Sequence, residues 1–442
     1  MIRRRVLLVS YHFPPVGGAG VQRPAKLAKY LPRFGWDVSV LQAANPSVPL
    51  LDPSLLEDLP DDLVIVKART LEPGYAAKSA TAGPPGGSSS SRLKRIVRSL
   101  ATMALQPDAQ VLWLPAARRA GLDLLARQPH DAILATAPTY TNLVLGGMLA
   151  RRTGLPLVLD YRDEWDISSA YWENAPRDPI SPRVQQWMQR RVLRASRAIV
   201  ATTAASTARI AARAADAGVF PLARCIYNGW DPSDIQQVDG VAPAVPRDPT
   251  RHRIVYAGTL WALTSIAPVV EALLALARET PRLVERLELV VLGRKTPEQE
   301  QELARLAGTA VTLHTPAYVP HAVALATMRS ADTLLLLLSD VPGAERVAPA
   351  KLFEYLALGQ PMLAVTPAGE TADLVRAAQP DAWRSPRDIP GIVAWFRTRL
   401  DPNIGGGSTT GTPPDYAARF TRHALAGEMA GVLDTVTRKD AP

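Results

Sequence analysis

The chain has 442 residues, 47% of them hydrophobic and 21% charged, with 50 Lys/Arg against 41 Asp/Glu and a single cysteine. That length leads us to expect two domains, each large enough to bury its own core. One cysteine, Cys225, excludes a disulfide framework or a cysteine-rich zinc site, and no apolar run reaches the length of a membrane span.

The charge is uneven. Residues 1–230 hold 29 Lys/Arg and 17 Asp/Glu, a net of +12, and the remainder is −3. An excess confined to one half implies an anionic partner for that half. Basic and aromatic residues are not interleaved as in a strand-binding platform, so nucleic acid is not expected; an anionic membrane surface fits better. The opening MIRRRVLLVS mimics a signal peptide, but its apolar run breaks at YHFPP, and a cytoplasmic protein is expected.

Val6–Ser10 reads as a strand, followed by a loop with Gly17, Gly18 and Gly20 and a helix using Leu27, Tyr30 and Leu31. Such a loop serves either as a tight strand-to-helix turn or as a close approach of backbone amides to a ligand. Its spacing is not the dinucleotide fingerprint, which argues against a nicotinamide oxidoreductase. LVIVKA is a strand, and the low-complexity stretch from Thr70 to Arg92 reads as a loop. After it, Leu93, Ile96, Val97 and Leu100 form an apolar stripe among Arg92, Lys94, Arg95 and Arg98. That is either a membrane-surface helix or a solvated helix seated on the domain. A helix (WLPAARRAGLDLLAR), a strand (HDAILAT) and a second helix lead to the strand Leu157–Asp160. The loop after it carries Asp160, Arg162, Asp163, Glu164, Trp165 and Asp166. In a doubly wound sheet this loop lies at the same edge as the glycine loop. Its carboxylates can orient an acceptor hydroxyl, pair with a cation or bind a metal; the lack of a histidine and the presence of Arg162 disfavour metal.

A long basic helix with Arg190, Arg191, Arg194 and Arg197 precedes the next strand, and RCIYNGWD closes the half. The polar, Pro-rich residues 231–252 read as a linker. The second half reopens with a strand and the turn Gly258-Thr259-Leu260, and Arg294 and Lys295 stand in the next strand-to-helix loop. Then comes DTLLLLLSD, a buried parallel strand by its length and lack of helical period. A loop with Glu345 and Arg346 follows, and a helix opens at Pro349 and stops at Gly359. Lys351 and Glu354 are three apart on one face near its positive end. They form either a surface ion pair or a site where the cation meets phosphate and the carboxylate meets sugar hydroxyls. The chain ends in a flexible loop and a last helix.

Pro349, Lys351, Glu354, Tyr355, Leu356, Ala357, Gly359 and Pro361 make P-x-K-x-x-E-Y-L-A-x-G-x-P. This resembles the donor-site helix of family-four retaining glycosyltransferases of the GT-B fold. Y-A-G-T-L, the L-G-R loop, Y-V-P-H-x-x-x-x-x-x-M-R-S-A-D and N-G-W-D extend the resemblance across nearly the whole chain. D-Y-R-D-E-W resembles the D-F-R-D-P-W element of one branch. The resemblance implies an α/β chain of two facing Rossmann-like domains with a cleft between them: residues 1–230 on the acceptor side, 253–412 binding the nucleotide sugar, and 413–442 crossing back to the first domain. It implies retaining transfer from a nucleotide-sugar donor to a sugar, lipid-linked or small-molecule acceptor, with no metal or other cofactor. Glu354 would hold the donor ribose, and Lys351, Arg294, Lys295 and Arg346 would meet the diphosphate beside Gly258 and Thr259. Asp160, Arg162 and Asp163 would serve the reaction, near Gly17, Gly18 and Gly20. The family's first Glu falls at Arg346, with Glu345 adjacent. Two further readings remain open: a nucleotide-sugar 2-epimerase, and a silent membrane-bound relative.

Overall fold

The computed structural model describes residues 3–48, 51–74, 105–166, 180–401 and 411–438. The low-complexity loop lies mostly, and the apolar stripe at 93–100 wholly, outside the described residues, as does most of the loop before the last helix. The chain divides into two compact units, residues 1–227 with 422–442, and residues 228–421.

The first unit holds a seven-stranded, all-parallel sheet of order β3-β2-β1-β4-β5-β6-β7. Its strands are β1 (Arg4–Val9), β2 (Trp36–Ala43), β3 (Val64–Ala68), β4 (Ala132–Ala137), β5 (Leu157–Tyr161), β6 (Ala198–Ala201) and β7 (Leu222–Cys225). Val6 sits opposite both Val38 of β2 and Ala132 of β4, so β1 is central. Its side chains alternate between two cores. Leu7 and Val9 join the helices Tyr140–Thr153 and Ser181–Leu193 on one face. Val6 and Leu8 join the helices Gln22–Tyr30 and Arg422–Thr437 on the other. A parallel strand covered on both sides must be apolar at every position, as RRVLLV is after its first two residues. At Gly146 the Tyr140–Thr153 helix comes so close to β4 that a Cβ would stand 2.7 Å from that of Ala135. The last helix is fixed to this unit by apolar burial and by Trp36 Nε1, which donates to Asp434 at 2.8 Å.

The second unit holds a six-stranded parallel sheet of order β10-β9-β8-β11-β12-β13. These strands are β8 (His252–Ala257), β9 (Leu287–Leu292), β10 (Thr312–His314), β11 (Thr333–Leu337), β12 (Met362–Val365) and β13 (Trp383–Arg384). DTLLLLLSD forms β11, all five of its residues buried, beside β8 and β12. Both sheets reverse strand order once, at β1/β4 and at β8/β11. The carboxyl ends of the strands flanking such a reversal leave a crevice where ligands bind in this architecture.

The helix Ala204–Asp216 packs through Ser206, Thr207, Ile210 and Ala214. Two details differ from the sequence expectation. Residues 231–252 are not an unstructured linker: they begin with the short helix Pro232–Gln236, capped by Asp231, and belong to the second unit. Residues 413–442 do not stay together, since 413–421 remain with the second unit and only the following helix joins the first. No helix among the described residues is long and apolar enough to cross a membrane.

Candidate active site

In the first unit the candidate residues gather at the β1/β4 reversal. The glycine loop follows β1, and Gly18 has φ +99°, a conformation that L side chains rarely adopt. Gly17 and Gly20 flank it, partly and fully exposed. The loop after β5 is pinned at almost every residue. Asp160 is fully buried; Arg23 grips it with Nε at 3.1 Å and Nη2 at 2.8 Å, and Thr136 Oγ1 donates at 2.8 Å. Arg23 also donates to the Tyr227 carbonyl at 2.7 Å.

Arg162 donates from Nε to the Ala137 carbonyl at 3.1 Å, and from its two terminal nitrogens to the carbonyls of Gly20 and Pro138. Its guanidinium therefore ties together the loops after β1, β4 and β5. Glu164 accepts from Ser206 Oγ at 2.7 Å, Trp165 stacks on Tyr140 at 4.7 Å, and Asp166 pairs with Arg213. Asp163 alone in this run is exposed. Desolvation by the surrounding protein raises its carboxyl above the usual range, with the charge of Arg162 pulling the other way.

Two of the three residues expected to do chemistry here are engaged within the protein. The Asp160 carboxylate is held by Arg23 and Thr136 and sees no solvent. Arg162 is a clamp on three loops. Sequence spacing puts all three in one loop but does not say which of them turns inward. Arg23 carries no local mark of this role and meets Asp160 only through the fold.

In the second unit the residues gather at β8/β11. The helix Ala350–Leu358 starts after Pro349, and among the described residues no side chain caps it. Lys351 reaches back to β8: its Nζ donates to Tyr256 Oη at 2.7 Å and stands 3.9 Å from the centre of that ring. Tyr256 passes its own proton to the Thr259 carbonyl at 2.8 Å. Backbone room for the ammonium comes from glycine. Gly258 has φ +137°, and a Cβ there would lie 2.5 Å from Lys351 Nζ. Gly293 has φ +103°, and its Cβ would lie 2.6 Å from the Gly258 carbonyl. Burial pushes the Lys351 ammonium down to about 7, against the opposing pull of Glu354. Glu354 lies one turn on, with Oε1 3.0 Å from His321 Nε2.

The other expected cations divide. Arg294 is exposed and lines a cavity of about 490 Å³ with Gly293, Leu303, Leu313 and Tyr318. Lys295 lines the same cavity, but its ammonium is held by the carbonyls of Gly293 at 2.7 Å and Pro316 at 3.0 Å. It braces the loops after β9 and β10. Arg346 pairs with its neighbour Glu345, whose other oxygen accepts from Gly343 N at 2.8 Å, so these two charges largely offset each other. Thr259 is exposed at the rim.

Comparison with known proteins agrees with this arrangement. Residues 17–222, just under half the chain, match the glycosyl transferase 4-like domain. Among solved structures, HepE from Anabaena in complex with UDP and glucose superimposes with a TM-score of 0.59 at 16% identity, over 98% of this chain and 99% of that one. The trehalose-6-phosphate synthase of Burkholderia multivorans gives 0.60 at 14% identity, over 98% of each. A putative UDP-N-acetylglucosamine 2-epimerase from Listeria monocytogenes gives 0.50 at 11%, over 100% and 99%. No curated protein matches the sequence. These likenesses establish the fold. Residues 17–222 resemble a glycosyl transferase 4-like domain within a chain of GT-B fold, and together these findings support a glycosyltransferase.

Proposed function

We propose that the protein is a retaining glycosyltransferase that moves a sugar from a nucleoside-diphosphate donor to an acceptor hydroxyl, in the synthesis of a polysaccharide, glycolipid or other glycoconjugate. The observation that carries this reading is the placement of Lys351. Its ammonium sits at the strand-order reversal of the second sheet, against two glycines that leave the backbone open, and at a helix start without a side-chain cap. A diphosphate there meets a cation, backbone N–H groups and the positive end of a helix. HepE holds UDP and glucose in a chain of the same fold, which supports the same ligand class here.

The parts then take distinct roles. Breaking the bond to the sugar leaves positive charge on the anomeric carbon and negative charge on the departing diphosphate. Lys351 and the N–H groups of Ala350 and Lys351 stabilise the latter, in a place shaped before the reaction starts. Glu354 accepts hydrogen bonds from the ribose hydroxyls. The cavity beside Arg294 takes the base. In the first unit Asp163, the one outward carboxylate of a rigid loop, orients the acceptor. Retention follows if the acceptor proton passes to a diphosphate oxygen on the side from which the donor leaves. The charge stabilisation is assigned to the protein's own groups, with no metal. A 2-epimerase would turn over donor with no acceptor present, so a donor-only incubation separates it from a transferase. A silent relative would bind no sugar nucleotide in calorimetry.

An anionic membrane leaflet remains our proposed partner for the basic unit, at the inner face of the cytoplasmic membrane. The described face for it is the helix Ser181–Leu193, with exposed Arg183, Arg190 and Arg191 around Trp187, which is 57% exposed and has the Arg191 guanidinium 5.5 Å from its ring. Aromatic residues with cationic neighbours suit a lipid headgroup layer.

Glu354→Ala is expected to abolish transfer while the thermal unfolding midpoint stays at its wild-type value; wild-type turnover by this variant removes the donor-site assignment. For Asp163→Asn the expected result is a fall in kcat of about a hundredfold with donor affinity kept, read by steady-state kinetics beside calorimetry.

Lys351 also sets a pH dependence. Below pH 7 the free protein already carries the ammonium that a diphosphate needs. Above it a proton must be taken up on binding, so UDP affinity should fall by up to about tenfold per pH unit. Calorimetry in two buffers of different ionisation heat reads this uptake directly, and a flat profile from pH 6.5 to 8.5 contradicts it. Flotation with phosphatidylserine vesicles should carry the protein up at low salt and lose it at high salt; salt-independent flotation, or none, counts against the membrane face.

A further inference from the structure

The helix His321–Arg329 and the helix Ala350–Leu358 lie side by side in the second unit, and a polar contact joins the first turn of the former to the second turn of the latter. His321, the first residue of its helix, presents Nε2 to Oε1 of Glu354 at 3.0 Å. Both side chains are about seven-tenths covered, at 31% and 26% exposure. The pair is therefore shielded enough to hold a geometry and open enough for a ligand to reach it. Beside a carboxylate the imidazole proton resides on the facing nitrogen, so Nε2–H donates. A carboxylate offers about four lone-pair positions, so a bond from His321 does not by itself saturate it.

A glutamate on an exposed helix face loses rotamer freedom when a ligand fixes it, and that loss subtracts from affinity. A neighbour that fixes the rotamer beforehand removes the cost. We infer that His321 is a positioning residue for the nucleotide ribose: it holds Glu354 in the orientation that accepts the ribose hydroxyls, and so makes the site selective for an intact ribose diol. This rests on the assignment of Glu354 to the donor ribose. It goes beyond that assignment by placing the selectivity on a residue of a different helix that need not touch the donor. The diphosphate contact at Lys351 is made by another side chain with its own support from Tyr256, so loss of His321 leaves it in place.

The test measures UDP and GDP, each beside its 2′-deoxy analogue, by calorimetry on the wild type, His321→Ala and His321→Gln. The better-bound wild-type nucleotide should be preferred over its deoxy form by about tenfold or more. His321→Ala should bring that ratio close to one by weakening the ribonucleotide, with the deoxy form nearly unchanged. His321→Gln, which can still offer an N–H to Glu354, should recover most of the ratio. In turnover, His321→Ala should raise the donor KM and leave kcat within about twofold. An unchanged ratio in a folded His321→Ala protein overturns the inference and leaves the donor site standing. Equal loss of both the ribose and deoxy forms also overturns it, since that reports damage to the whole pocket. If the wild type binds neither nucleotide, the inference and the donor site fall together.

Discussion

The second unit is organised by one demand: an ammonium must be held where the backbone leaves no space for an ordinary side chain. Lys351 satisfies it only because three other choices agree. Position 256 is a tyrosine whose ring and hydroxyl receive the cation, and positions 258 and 293 are glycines that fold the loops after β8 and β9 tightly enough to admit it. The same packing desolvates the amine and pushes it down to about 7.

The first unit handles charge in the opposite way. Its arginines near the site are used up inside the protein. Arg23 neutralises a carboxylate buried at the end of β5, and Arg162 is spread over three backbone carbonyls, of Gly20 after β1 and of Ala137 and Pro138 at the end of β4. Breaking a buried ion pair such as Arg23–Asp160 costs about 3–5 kcal/mol because it strands a charge. That magnitude decides its role: the pair is a support, and substitutions there report on folding before chemistry. With its neighbours so held, Asp163 is the exposed carboxylate of this loop. The +12 of the first 230 residues is therefore not all surface charge, and what remains outside is concentrated on faces such as that of the Ser181–Leu193 helix.

The two groups of candidate residues fall in different units. The proposed donor elements (Lys351, Glu354, the glycine turns and the cavity beside Arg294) all belong to residues 228–421. The glycine loop after β1 and the Asp163 loop belong to residues 1–227. Arg346 pairs with Glu345 next door, so the local charge stays near neutral.

The amino-acid order alone was sufficient for the strands, the two sheets and the helix that opens at Pro349. Buried parallel strands must be continuously apolar, and helices must start and stop at prolines and glycines, so these features are written locally. The same holds for Gly258 and for Lys351 and Glu354, which stand at fixed offsets on one helix. Which charged residue faces outward was decided only by tertiary structure. Asp160, Arg162 and Asp163 look equivalent within four residues of sequence; the difference arises because Arg23, from a helix 137 positions earlier, meets one of them, and three backbone carbonyls meet another. Lys295 and His321 were assigned by the same kind of long-range contact. Local rules fix backbone geometry, but the partner of a buried charge is chosen by whatever the fold brings within 3 Å, and that is a property of the packed chain.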